Sequence, residues 1–165
     1  MSGAPEPPSR PDVGPRPWLV IAVGNPARGD DALGPLLLER LRELGVEAGG
    51  EVDLLTDFQL QVEHALDLRG RRGVLFVDAA RAGAARGAQL VPVQADTAPA
   101  AATHAMPPGA VLRVAEQIDG RAPPAWLLAI EGASFGLGET PSDAGLRHLE
   151  RAQALAMDWL RAQRR

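Results

Sequence analysis

The chain contains no cysteine. That excludes a thiol nucleophile, a disulfide framework and any thiolate metal site, so a metal held by this chain has only His, Asp, Glu and backbone oxygen to meet it. Lysine is missing too: all 17 basic residues are arginines. Schiff-base chemistry and the phosphate-holding lysine of P-loop proteins are thereby excluded. Serine is scarce. Ser2 and Ser9 fall in the first seventeen residues, and Ser134 and Ser142 lie in a glycine-rich stretch without a nucleophile elbow, which leaves no well-placed serine for a Ser-His-Asp device. Positive charge is outweighed at a net −4, which argues against non-specific nucleic-acid binding. No apolar run approaches the roughly 20 residues that cross a bilayer, and the N-terminus has no apolar signal-peptide core. The expected compartment is cytoplasmic, with neither membrane nor nucleic acid among the partners.

What is present suits one soluble domain. The 165 residues, 45% hydrophobic and 23% charged, can bury a full core. Residues 1–17 carry six prolines and almost nothing apolar, which predicts a disordered tail ahead of a single α/β domain over 18–165. "WLVIAVG" (18–24) and "GVLFVDAA" (73–80) are continuous apolar runs, as expected of strands buried on both faces. "EVDLLT" (51–56), "GAQLVPV" (87–93) and "AWLLAI" (125–130) are three further strands, with Pro92 placing its strand at a sheet edge. Between them, helical spacing predicts helices over 35–45, 60–70, 110–118 and 143–162. The first shows Leu37, Leu41 and Leu44 on one face, the third Val111, Val114, Ala115 and Ile118, and the last Leu149, Ala152, Ala156, Trp159 and Leu160. The alternation implies a mostly parallel, twisted five-stranded sheet with helices on both faces, a three-layer α/β sandwich. In such a fold the site lies beyond the carboxyl ends of the strands, so the loops after Val23, Val77, Val93 and Ile130 carry the interest.

The first of these loops is "GNPARGDDALGP" (24–35). Gly24 and Gly29 give it the look of a phosphate loop, yet the GxGxxG spacing is absent. Asp30 and Asp31 stand where a phosphate needs bare N–H groups and positive potential. Asp30 reads as a helix N-cap and Asp31 as a complement to the helix dipole, but one cap does not need two acids, and the second is free to face the crevice. Asn25 reads as a turn-former whose side chain bonds the backbone. Asp78 ends the third strand on the same edge, either as a turn cap or as a second carboxylate over the crevice. His104 lies in the irregular stretch "QADTAPAAATHAMPPG" (94–109), either solvated or a third donor. Two carboxylates and an imidazole are a set that suits a borderline divalent ion such as Ni, Zn or Co, with positions left open. Glu63, His64 and His148 read as solvated, "RGRRG" (69–73) as a solvated connection, and "SFGLGE" (134–139) as either a flap over the cleft or an ordinary loop.

"VGNPARGDDALG", "FVDAA" and "THAMPP" together resemble the signature segments of the hydrogenase maturation endopeptidases, in order and spacing, over roughly residues 18 to 162. The resemblance implies an endopeptidase that removes the C-terminal extension of a [NiFe] hydrogenase large-subunit precursor after nickel insertion. It implies Asp31, Asp78 and His104 as the residues that contact a nickel ion carried by the substrate and serve the catalysis. The partner is then that precursor, which brings its own thiolates, in keeping with a chain that has none. The alternative is a checkpoint protein that grips the nickel-loaded subunit without cutting it. Some members carry Glu where Asp31 stands, and Ala32 replaces a common Gly. "DFQLQVEHALDL" lacks a Gly-Thr pair and resembles the branch serving soluble NAD-coupled hydrogenases.

Overall fold

The parity of the first strand shows how the core is divided. In β1 (Trp18–Val23), Val20 and Ala22 pack to one side while Leu19, Ile21 and Val23 pack to the other, so its apolar run is buried on both faces. The structure, a computed structural model, describes residues 14–96 and 106–164. After β1 come a 3-10 turn (Gly29–Ala32), α1 (Leu33–Glu43), β2 (Val52–Asp57), α2 (His64–Asp67) and β3 (Gly73–Ala80). The chain continues through β4 (Ala88–Val93), α3 (Pro108–Asp119), β5 (Ala125–Glu131) and α4 (Asp143–Gln163). The strands form one sheet in the order β2-β1-β3-β5-β4, parallel throughout except that β4 runs antiparallel to β5 at the edge. Pro92, with no N–H to give, sits in that edge strand. Helices α1 and α4 cover one face of the sheet and α2 and α3 the other, the expected three-layer α/β arrangement.

Several local expectations shift. The second helix is only four residues long, because the segment before it is spent on turns. In α1, Leu33 and Leu38 join Leu37 and Leu41 in the core, while Leu44 at the C-cap stays half exposed. In α3, Leu112 takes the buried place expected of Ile118. Residues 15–17, grouped with the tail by composition, touch the body. Arg16 Nη1 donates to the carbonyls of Glu47 and Val52 at 3.0 and 2.8 Å, and Arg72 N–H donates to Pro17 at 2.7 Å.

Under α4 the indole of Trp159 meets Trp18 and Trp126 edge to face, with ring centroids 6.1 and 5.6 Å away. Its Nε1 has no hydrogen-bond partner among the described residues. Trp159→Phe is therefore expected to be mild, since it keeps an aromatic ring and gives up no polar contact. Trp159→Ala should cost about 3–5 kcal/mol, read as the shift in the urea midpoint.

In strand order, β1 links to β2 on one side and stands beside β3 on the other. The connections therefore part company at the carboxyl ends of β1 and β3, where a doubly wound sheet opens a crevice.

Candidate active site

The turn leaving β1 is shaped by one glycine. Gly24 has φ +150°, and a Cβ there would fall on the carbonyl oxygen of Asp31, so only glycine lets the chain double back this closely. The side chain of Asn25 accepts the N–H of Ala27 at 2.9 Å, and its own N–H donates to Asp31 Oδ2 at 2.6 Å. Asp31 is half buried, with its carboxylate anchored over the turn. Gly24→Ala is expected to cost roughly 3 kcal/mol or more, combining a strained φ with a backbone clash, and to displace the Asp31 carboxylate. A large fall in the thermal midpoint checks it.

Asp78 arrives from β3. It shares the parity of Val74 and Phe76 and so faces the α2/α3 side, next to the end of β1. Its carboxyl is pushed up to about 7. Burial is the main cause and the Asp31 charge the second, against a smaller opposing pull from the Ala79 N–H. The two predicted carboxylates are thus brought together closely enough to feel one another. Among the described residues no third His, Cys, Asp or Glu completes a metal-sized cluster with them. His104 lies outside the described residues. The expectation that the loop after Val93 departs from the same edge as the others is corrected: β4 is antiparallel, Val93 pairs with Ala125 at the start of β5, and that segment leaves from the opposite edge. Further along it, Met106 packs against the α2/α3 layer just before α3.

Asp30 is not an N-cap. Arg28 takes the cap position of the 3-10 turn, and no side chain bonds there. Asp30 is instead fully buried and reaches across to the segment after β5. Its carboxylate accepts the N–H of Ala133 at 2.6 Å, of Ser134 at 3.1 Å and of Ser142 at 2.7 Å, plus the Ser142 hydroxyl at 2.6 Å. Burial alone would raise this acid, but the Ser142 hydroxyl and then the N–H groups of Ala133, Ser142 and Ser134 outweigh it and hold it below its usual value. Ser142 Oγ in turn accepts the N–H of Gly145 at 2.9 Å and caps α4. Gly132 and Gly145 flank the carboxylate so tightly that a Cβ at either would collide with it. The glycine richness of this segment is the imprint of a buried acid contributed from elsewhere.

The other polar residues around the edge also prove structural. "SFGLGE" is a folded loop: Glu139 accepts from the Ser134 hydroxyl and from Gly136 N–H at 3.1 Å, and the Gly138 N–H donates to Ala27 at 2.7 Å. Glu131, at the end of β5, is held below its usual value chiefly by the Gly83 N–H and then that of Gly87, so it fastens the β3–β4 turn. His148 is not a free surface residue; its Nδ1–H donates to the Glu131 carbonyl at 2.7 Å. His64 is buried against Asp57 rather than solvated. At the opposite edge, Arg71 is buried onto Asp53, the Asp67 carbonyl and the Arg16 carbonyl, so "RGRRG" is a clamp rather than a loose connection.

No family model matches this chain, and no curated protein matches it by sequence. Solved structures do. A [NiFe] hydrogenase maturation protease, HycI, from Thermococcus kodakarensis is 27% identical, with 91% of this chain and 96% of that one covered and a TM-score of 0.66. The hydrogenase maturating endopeptidase HybD from E. coli is 20% identical over 88% of this chain and 93% of that one, with a TM-score of 0.69. A hydrogenase 2 maturation peptidase from a Thaumarchaeota archaeon is 20% identical over 88% and 98%, with a TM-score of 0.64. The resemblance read from "VGNPARGDDALG", "FVDAA" and "THAMPP" thus agrees with the structural neighbours, which are hydrogenase maturation proteases over most of the chain.

Proposed function

We propose that this chain, whose structural relatives are hydrogenase maturation endopeptidases, is a nickel-dependent endopeptidase that removes the C-terminal extension of a [NiFe] hydrogenase large-subunit precursor. The observation that carries the reading is the pairing of Asp31 and Asp78 at the crevice between β1 and β3. A carboxyl disfavoured as an ion first by burial and then by a neighbouring charge, as Asp78 is beside Asp31, is a ready seat for a divalent cation, which offsets both costs. In this reading the nickel is the client's cargo, and it supplies either a polarised scissile carbonyl or a fixed position for the tail. A chain without cysteine offers oxygen and nitrogen donors, while the client offers thiolates. Asp31, Asp78 and His104 are the donors from this side. A precursor without nickel gives them nothing to grip, so cutting waits for loading.

In the metal-free chain Asp78 is pushed up to about 7, first by burial and then by the Asp31 charge; nickel seated there would displace that proton, and Asp78 would serve it as a ligand. A carboxylate that the metal leaves free would take a proton from the attacking water and return one to the leaving amine. Asp30 drops out as a base, since four donors already occupy its two oxygens. The proposed setting is the cytoplasm; no helix among the described residues is long and apolar enough to cross a membrane.

The test is to incubate the purified protein with nickel-loaded and nickel-free precursor and weigh the products. Loss of the C-terminal extension from the loaded form alone is expected, and Asp31→Asn, Asp78→Asn and His104→Ala should each abolish it. Stable association without loss of mass would replace the enzyme with a checkpoint protein. Normal cutting by the three variants would remove the site assignment.

A further inference from the structure

Beside Asp31 lies a cavity of about 270 Å³ lined by Gly24, Pro26, Pro35, Thr56, Asp57 and Phe58. We propose that this cavity is a subsite for one apolar side chain of the client polypeptide, next to the bond to be cut. The inference rests on the processing reading above and specifies how the polypeptide is engaged.

Size is the first argument. Pockets for whole small molecules run to about 300–1,000 Å³; at about 270 Å³ and open to one side, this one has room for a large side chain carried on a passing backbone. The walls are the second. The rings of Pro26, Pro35 and Phe58 make it apolar on three sides, and Phe58 is 70% exposed. Val62, just before α2, and Leu66, within it, are also about half exposed. An aromatic left so open at the mouth of a cavity marks a surface made to be covered. Position is the third. Gly24 belongs both to the cavity wall and to the turn that closes over Asp31, so a side chain seated here brings its own peptide unit over the carboxylates.

The wall is also stiff. The Gln61 N–H donates to His64 Nδ1 at 2.8 Å, which fixes the tautomer with hydrogen on Nε2, and Nε2 lies 3.2 Å from Asp57 Oδ2. Asp57 Oδ1 accepts the Phe58 N–H at 2.7 Å, and the Asp57 carbonyl accepts the Gly24 N–H at 3.1 Å. His64 takes no part in the proposed chemistry, yet it is 5% exposed, with Nδ1 bonded to the Gln61 N–H and Nε2 turned toward Asp57. It is a strut beneath Asp57 that steadies that wall of the cavity.

The experiment has two arms. In the first, N-acetyl-leucine methylamide and N-acetyl-glycine methylamide are titrated into the 15N-labelled protein. The leucine amide should shift the amides of Gly24, Thr56 and Phe58, the glycine amide should not, and Thr56→Trp, which plugs the cavity from an exposed strand position, should lose the response. In the second, Phe58→Ala and Thr56→Trp are assayed on nickel-loaded precursor. Each should raise KM by about tenfold with kcat within about a factor of two, as expected when binding common to ground and transition states is removed. Leucine amide that leaves those three amides unmoved, or a Thr56→Trp enzyme with the wild-type KM, overturns the proposal. Wild-type protein that leaves loaded precursor uncut overturns the processing reading instead, and the titration still judges the cavity.

Discussion

Asp30→Asn is expected to destabilise this protein by about 3–5 kcal/mol, although the two side chains have nearly the same shape. Asp30 is fully buried, and every partner it has is a donor: three backbone N–H groups and the Ser142 hydroxyl. An amide would turn an NH2 toward some of them and leave buried donors unpaired, each costing about 1–3 kcal/mol. Removing one side of such a buried charged arrangement costs a similar total. Asp30→Ala should do at least as much harm and also leave a cavity. A simple cap would lose only about 1 kcal/mol, so urea midpoints separate the two roles, and an Asn variant as stable as wild type would refute the clasp. The pH dependence has a definite sign. The folded protein holds this carboxyl below its usual 3.8, so its contribution is fully present above that value and is lost as pH falls through the lower folded value.

Asp78→Asn is expected to do the reverse: to abolish processing while stabilising the fold at alkaline pH. The carboxyl titrates at about 7 in the folded chain against 3.8 as a model acid, first through burial and then through the Asp31 charge. Folding therefore takes up a proton between those values, and stability declines as pH rises from about 4 through 7. Allowing for screening at a half-buried site, the ionised group costs on the order of 2 kcal/mol above pH 7. The Asn variant has no such group. Its thermal midpoint at pH 8 should exceed wild type by about 5 °C, with little difference near pH 4. A midpoint gap independent of pH would contradict the assignment. A residue whose ionised state weakens the fold, sitting beside a second carboxylate at a crevice, is the kind of perturbed group that marks a site of chemistry.

The sheet was legible because its signals are local. β3 falls where its apolar run falls, and α4 buries the five residues its periodicity named. Asp31 and Asp78 were legible because strand ends on one edge of a parallel sheet must converge. The antiparallel β4 was not, since an apolar run carries no direction. Nor was the role of Asp30. Its partners lie at Ala133, Ser134 and Ser142, and no local spacing joins them to the first turn. Two hints were there to read: Ser142 just ahead of α4 as a capping serine, and glycines on either side of it. His64 and Arg71 were misread as solvated for the same reason, because their partners, Asp57 and Asp53, come from another element.

The clasp between Asp30 and the segment ahead of α4 also fixes an order of events. Its bonds join residues 103 to 112 positions apart in sequence. During synthesis, the Asp30 carboxylate therefore lacks these partners until residues 133–142 have been delivered. Contacts so distant form late. A nascent chain that stops short of those residues carries the Asp31 turn without the clasp that fastens it to the segment ahead of α4.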